Sequence, residues 1–242
     1  MTAMPPFRAD MVGSLLRTAP LKEARARGQA GEISAEGLRE VEDREIRKIV
    51  VRQEQAGLKA ATDGEFRRAW WHFDFLEGLK GVEGYDAEQG IQFHGIQTKP
   101  RAVRVTGKLG FAGHPMLGHF RFLAANTKLV AKMTIPSPSV LHFRGGPKAI
   151  GKAVYPEMEG FFADLAETYR QAVRAFAEAG CRYLQLDDTS WAYLCSEEQR
   201  ARYRIPGRSR RRRRCRRASR RPARSRPRRS RWSGNCRGRY AW

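Results

Sequence analysis

Apolar and polar positions follow one plan twice along this chain. In "SAEGLREVEDREIRKIVVRQEQAGLKAATDGE", residues 34–65, Leu38, Val41, Ile46, Ile49 and Val50 recur on one half of a helical wheel. Ser34 is placed to cap that helix, and Gly57 supplies a left-handed stop. "LKAATD" then reads as a short buried strand ending on Asp63-Gly64-Glu65. In "YPEMEGFFADLAETYRQAVRAFAEAGCRYLQLDDT", residues 155–189, Pro156 suits a first helical turn. Met158, Phe161, Phe162, Leu165, Tyr169, Val173 and Phe176 form the apolar stripe, Gly180 ends the helix, and "RYLQL" is the strand. Asp187 and Asp188 follow it.

Helix, glycine, buried strand and carboxylates in that order imply a parallel α/β sheet. Acids placed where strands end fit a (β/α)8 TIM barrel, whose sites lie at the strands' C-terminal face. "FRADMVGS", "RAVRVTGKL" and "KLVAKMTIPSPS" read as three further strands, each followed by turn-forming residues. The expectation is therefore about five of eight β/α units within residues 1–203. A doubly wound open sheet is the alternative, although no G-x-G-x-x-G fingerprint accompanies it.

Charge changes the picture only at one end. The 242 residues carry a formal net charge of +22, but residues 208–242 alone hold 17 Arg and no Lys, Asp or Glu. The rest has 30 basic and 25 acidic side chains, an ordinary balance. No apolar run reaches the roughly 18 residues of a membrane span. The N-terminus lacks a signal-peptide pattern. The four cysteines, Cys181, Cys195, Cys215 and Cys236, form no C-x-x-C pair, so a cytoplasmic setting without disulfides is expected.

Candidate chemistry clusters where the strands end. Gly13-Ser14 offers backbone N–H groups and a hydroxyl to a carboxylate or phosphate. Glu65, Asp187 and Asp188 can accept a ligand ammonium or handle protons, or else serve as loop carboxylates and helix caps. Trp70, Trp71, His72 and Phe73 either wall a site for a flat heterocycle or pack a loop against the sheet. Ser137, Ser139, His142 and Phe143 follow the "KMTIP" strand in a proline-stiffened segment that is either a site loop or a plain turn.

Taken together, "DMVGSLLR", "TDGEFRR", "WWHFDFLEG", "IPSPSVLHF", "QLDDT" and "AYLC" resemble the cobalamin-independent methionine synthase family, in its catalytic barrel, from about Phe7 to Cys195. The resemblance implies methyl transfer from 5-methyltetrahydrofolate polyglutamate to homocysteine. By position, Val12, Gly13 and Ser14 match the turn that holds the homocysteine carboxylate, and Glu65 the acid that takes its amino group. Asp187 matches a substrate-contacting aspartate, and Phe143 lies near an aromatic position that meets the folate. The family also implies zinc, because only a thiolate is a good nucleophile and a bound cation deprotonates a coordinating thiol. Its ligands come from an H-x-C strand end and later residues. Here Cys236-Arg237-Gly238 echoes that run with Gly234 in the histidine position, so no metal ligand is assigned in this chain. Asp188-Thr189 stand where the family has an acid and a proline, which leaves the acceptor thiol open.

Residues 204–242 have the Arg, Ser, Pro and Gly composition of a shifted frame in a GC-rich gene, against ten Lys in the preceding body. The expectation is a frame change near residues 195–207, a disordered tail and a chain inactive for want of the zinc half. The competing functions are a nucleic-acid binder acting through the Arg arm, or a related barrel acting on another thiol or a tetrapyrrole.

Overall fold

The computed structural model describes residues 5–86, 92–93, 96–97, 101–143, 145–191 and 195–197. The Arg-rich segment, with Cys215 and Cys236, lies outside the described residues. Two helices open the chain. Helix α1 (Ala19–Gln29) starts at Thr18, whose hydroxyl accepts from Leu21 N at 3.4 Å, and α2 (Ala35–Gln55) starts at Ser34, which accepts from Gly37 N at 3.1 Å. Gly57 takes φ +76° after α2, a conformation in which a side chain would be strained. The two-residue strand β1 (Ala60–Ala61) follows.

The next segment leaves the α/β plan. Short helix α3 (Phe73–Leu76) leads into β2 (Lys80–Asp86), β3 (Gln92–Phe93), β4 (Ile96–Gln97) and β5 (Arg101–Gly110). β5 lies antiparallel to β2, and β3 to β4. Helix α4 (Pro115–Asn126) then returns the chain to β6 (Val130–Pro136), and α5 (Ser139–Phe143) with a 3-10 turn (Gly146–Ala149) precede α6 (Met158–Glu178) and β7 (Tyr183–Asp187). The parallel sheet has the order β1-β6-β7, with Lys132 opposite Tyr183 and Pro136 opposite Asp187. Ser14 adds a single parallel bridge to Gly64 at the end of β1.

Two strand expectations are corrected. "RAVRVTGKL" forms a strand, but in an antiparallel pair outside the parallel sheet. Its burial alternates, with Val103 and Val105 inside and Arg104 and Thr106 exposed, as in a strand covered on one face. Its inner face packs on Ile150 and the α6 layer, and Gly151 N donates to Val105 O at 2.9 Å. "FRADMVGS" contributes only the bridge at Ser14. Among the described residues the parallel set is thus three strands plus a bridged segment, not five.

Two apolar clusters hold these layers. One joins Met133 and Ile135 of β6 to Phe161, Leu165, Tyr169 and Phe176 of α6, with Phe75, Val103 and Val105. The other packs Leu21, Ile46, Val50, Phe66 and Leu123 between α1, α2 and α4. The α6 stripe is narrower than its sequence pattern, because Phe162 and Val173 remain exposed. No helix among the described residues is long and apolar enough to cross a membrane. Phe161 is fully buried, so Phe161→Ala is expected to cost about 3–5 kcal/mol. Urea unfolding should show a lower midpoint at unchanged slope; an unchanged midpoint would contradict this packing.

Candidate functional site

The end of β1 is built by an unusual turn. Gly64 has φ +66° and Glu65 φ +55°, two successive left-handed residues of which the second carries a side chain. Such a residue costs on the order of 1 kcal/mol or more. The Asp63 carboxylate accepts from Glu65 N at 2.8 Å and pins the turn. Arg25 donates to Phe66 O at 3.0 Å and Arg17 to Arg68 O at 2.6 Å, so helix α1 and the residues before it brace the far side. Arg67 pairs with Glu42 and Asp43 of α2.

Against this turn lies the N-terminal segment. Leu15 N donates to Gly64 O at 3.1 Å. Gly13 is buried so close to Glu65 that a Cβ there would stand 2.7 Å from Glu65 Oε1 and 3.3 Å from Thr134 Oγ1. Only glycine lets the two meet without displacing the carboxylate. Thr62 donates its hydroxyl to Gly13 O at 2.7 Å, and Thr134 donates to Val12 O. Lys132 is 1% exposed. Its ammonium contacts Asp10 Oδ2 at 2.9 Å, donates to Met11 O and lies 4.8 Å from the Tyr183 ring centre.

Two of the predicted residue groups therefore meet, and a third lies within electrostatic reach. Gly13 touches Glu65, and Ser14 is bridged to the same turn. Asp187 ends β7, two strands along from β1, and its charge is felt at Glu65. Burial raises the Glu65 carboxyl above its ordinary value; Arg68, which pairs with it, opposes this, and the charges of Asp63 and Asp187 add to it. Val12 is half exposed beside them.

Other predicted residues do different work. Asp188 accepts from Ser139 Oγ at 2.8 Å and from Ser190 N at 2.9 Å, and Ser137 and Ser139 hydroxyls are 2.8 Å apart. These bonds outweigh burial and hold the Asp188 carboxyl below its usual range. Asp188 thus ties the loop after β7 to the loop after β6. His142 packs edge-on against Phe161 and Phe162, and burial lowers its pKa. Phe143 is half-buried at the end of α5 and does not line the main cavity.

That cavity, of about 500 Å³, opens beside Glu65 and Thr134 and is walled by Trp70, Trp71, His114 and Met116. Trp70 and Trp71 also pack on the main core, Trp70 edge-on to Phe73 and Trp71 tilted against His72, so the packing reading holds and the pair lines a cavity as well. His72 is buried between Trp71 and Phe73. His114 and His119 belong to the cavity wall and were absent from the sequence candidates. His114 Nδ1 accepts from Met116 N at 3.1 Å and caps α4. That acceptor must be unprotonated, in keeping with a pKa lowered mainly by burial. Burial and the nearby Arg67 bring His119 down to about 4. The sequence signal for this wall was Pro115, a proline suited to a first helical turn.

No group of three or more His, Cys, Asp or Glu side chains with metal-holding geometry occurs among the described residues. Cys181 is buried in the core and Cys195 is exposed, each a free thiol. The residues described do not fit zinc.

These features define a class: a mixed α/β protein with a polar cradle at the C-terminal ends of parallel strands. Residues 7–203 match the family model for the cobalamin-independent synthase catalytic domain, and the chain belongs to that family. It is 54% identical over 198 residues to the uncharacterized Bacillus subtilis protein YxjH, a match covering 81% of this chain and 51% of that protein. It is 25% identical to the 5-methyltetrahydropteroyltriglutamate–homocysteine methyltransferase of Thermotoga petrophila, over 78% of this chain and 25% of that one. A crystal structure from Listeria monocytogenes, provisionally named a vitamin-B12-independent methionine synthase, superposes with a TM-score of 0.69 at 48% identity, covering 83% of this chain and 59% of that chain. The chain spans about half the length of the B. subtilis relative.

Asp63 gives a test of the turn's electrostatics. It is buried, and desolvation raises its carboxyl above the ordinary 3.8 despite Arg67 and Arg68. Between the ordinary and raised values the folded state binds more protons than the unfolded, so folded stability falls as pH rises. Below that window both states are protonated and the penalty disappears. Asp63→Asn keeps an acceptor for Glu65 N and removes the charge. It should raise the melting temperature at pH 8, with a gain that vanishes below about pH 3. A variant less stable than wild type at pH 8 would show that pairing to the arginines outweighs burial.

Proposed function

We propose that this chain forms the amino-acid-binding face of a methyltransferase of the cobalamin-independent methionine synthase type, which moves the methyl group of 5-methyltetrahydrofolate polyglutamate to homocysteine. The supporting observation is the contact of Gly13 with Glu65 at the end of parallel strands, with Asp187 on the next strand but one. An α-amino acid presents a carboxylate and an ammonium on one carbon. Backbone amides and the Ser14 hydroxyl suit the first, and a carboxylate held beside them suits the second.

In this reading Glu65 accepts the ammonium and Asp187 adds negative potential near it. Thiol activation requires a thiolate, which zinc supplies in the family. The sequence contains no H-x-C pattern, and the residues described do not fit the metal, so no step is assigned through it. The cavity beside Trp70 and Trp71 has the size of an ordinary small-molecule site, and we assign it to the methyl donor. Binding and turnover are then separable: the chain as written binds homocysteine but does not methylate it.

Calorimetry of the full chain with L-homocysteine tests the reading. Glu65→Gln removes a charge-assisted contact, so affinity should fall about 10- to 100-fold. Wild-type affinity should also fall as the pH is lowered through the raised Glu65 value, because only the carboxylate takes the ammonium. Unchanged affinity in the variant would overturn the assignment of Glu65. Stoichiometric tight zinc with measurable methyl transfer would overturn the claim that this chain does not turn over.

A further inference from the structure

We propose that Lys132, Thr134 and Thr62 are positioning residues that turn the amides of Val12, Gly13 and Ser14 toward a ligand carboxylate, and so set the preference for α-amino acids over amines that lack that group. This rests on the amino-acid reading given above and deepens it.

The geometry begins with three successive carbonyls. Met11 O accepts from Lys132 Nζ, Val12 O from Thr134 Oγ1, and Gly13 O from Thr62 Oγ1. In a planar trans peptide the C=O and the following N–H point in opposite directions. Each clamped carbonyl therefore aims the N–H of Val12, Gly13 or Ser14 away from its own donor. None of these three amides has an acceptor among the described residues. The next one, Leu15 N, is taken by Gly64 O, which closes the open run. Glu65 Oε1 stands at the middle residue of that run.

Lys132 and Thr134 lie two residues apart on β6 and so share one face. A fully buried ammonium is costly unless it is paired and hydrogen-bonded. Here Asp10 supplies the pair, and its other oxygen accepts from Met11 N at 2.8 Å. Tyr183 donates to the same carboxylate. Residue 11 is thereby held at both its N–H and its C=O. Because Asp10 neutralises Lys132, the ammonium does not itself attract the ligand. Its effect passes through the peptide planes, which offer amide dipoles.

The experiment uses the full chain and three probes, all measured by calorimetry. L-Methionine carries both groups, 3-(methylthio)propylamine lacks the carboxylate, and 4-(methylthio)butanoate lacks the amine. Wild type should bind methionine well above either analogue. Thr134→Val, nearly isosteric, should weaken methionine by about 5- to 10-fold, the worth of one hydrogen bond, and leave the amine unchanged. Lys132→Met should narrow the same ratio further. Glu65→Gln should instead narrow the ratio of methionine to the butanoate.

If Thr134→Val weakens methionine and the amine equally, the threonine is merely structural and the proposal fails. If wild type prefers methionine and both variants keep that preference, the clamp is overturned while the amino-acid reading stands. If wild type binds neither methionine nor homocysteine, the reading itself fails and takes the clamp with it. Thr134→Val carries the test should Lys132→Met not fold.

Discussion

Strand β6 sends Met133 and Ile135 into the apolar layer under α6 and presents Lys132 and Thr134 on its other face. That alternation is fixed by the pleat: a one-residue slip would exchange the two sets. It would put a lysine among phenylalanines and leave Met11 and Val12 carbonyls without donors. The apolar side of β6 thus holds the register, and the polar side uses it. β7 obeys the same register through Tyr183, opposite Lys132, and Asp187, opposite Pro136.

The site pays for its geometry in several small ways. Glu65 takes a left-handed backbone that favours glycine, and its carboxyl is desolvated near two other acids. Asp63 is buried with a raised pKa, and Lys132 is an ammonium without solvent. Each is tolerated because neighbours determine it: Asp63 by the turn amide, Lys132 by Asp10, Glu65 by Arg68. Local strain and buried charge at the end of parallel strands are where a binding function would concentrate them. The surrounding bracing from α1, α2 and the arginines keeps the turn rigid enough for such a penalty to persist.

Much of this was legible in the sequence. Helices α2 and α6 and strands β1, β6 and β7 follow from periodicity and their glycine stops, and of the residues the family resemblance pointed to, Gly13 and Glu65 are in contact. Helix α1 was not read because it buries only Leu21 and Ala24 along eleven mostly polar residues. Helix α4 was missed because Gly118 and His119 interrupt its apolar pattern. The strand in "RAVRVTGKL" was read correctly, but its strict alternation was the mark of an antiparallel strand with one covered face. Lys132, Thr62 and Thr134 carried no signal at all, since a lysine in a strand normally faces water and a threonine suits any strand. Their roles depend on a segment more than a hundred residues away in the case of β6. Such partnerships come from topology and not from local pattern.

The most direct test of the cradle is a two-dimensional NMR titration of the full, nitrogen-labelled chain with L-homocysteine. The Gly13 and Ser14 amide protons should shift downfield as they donate to the ligand carboxylate, and the decarboxylated thiol should leave them in place. Saturable homocysteine binding with those two amides unmoved would contradict it.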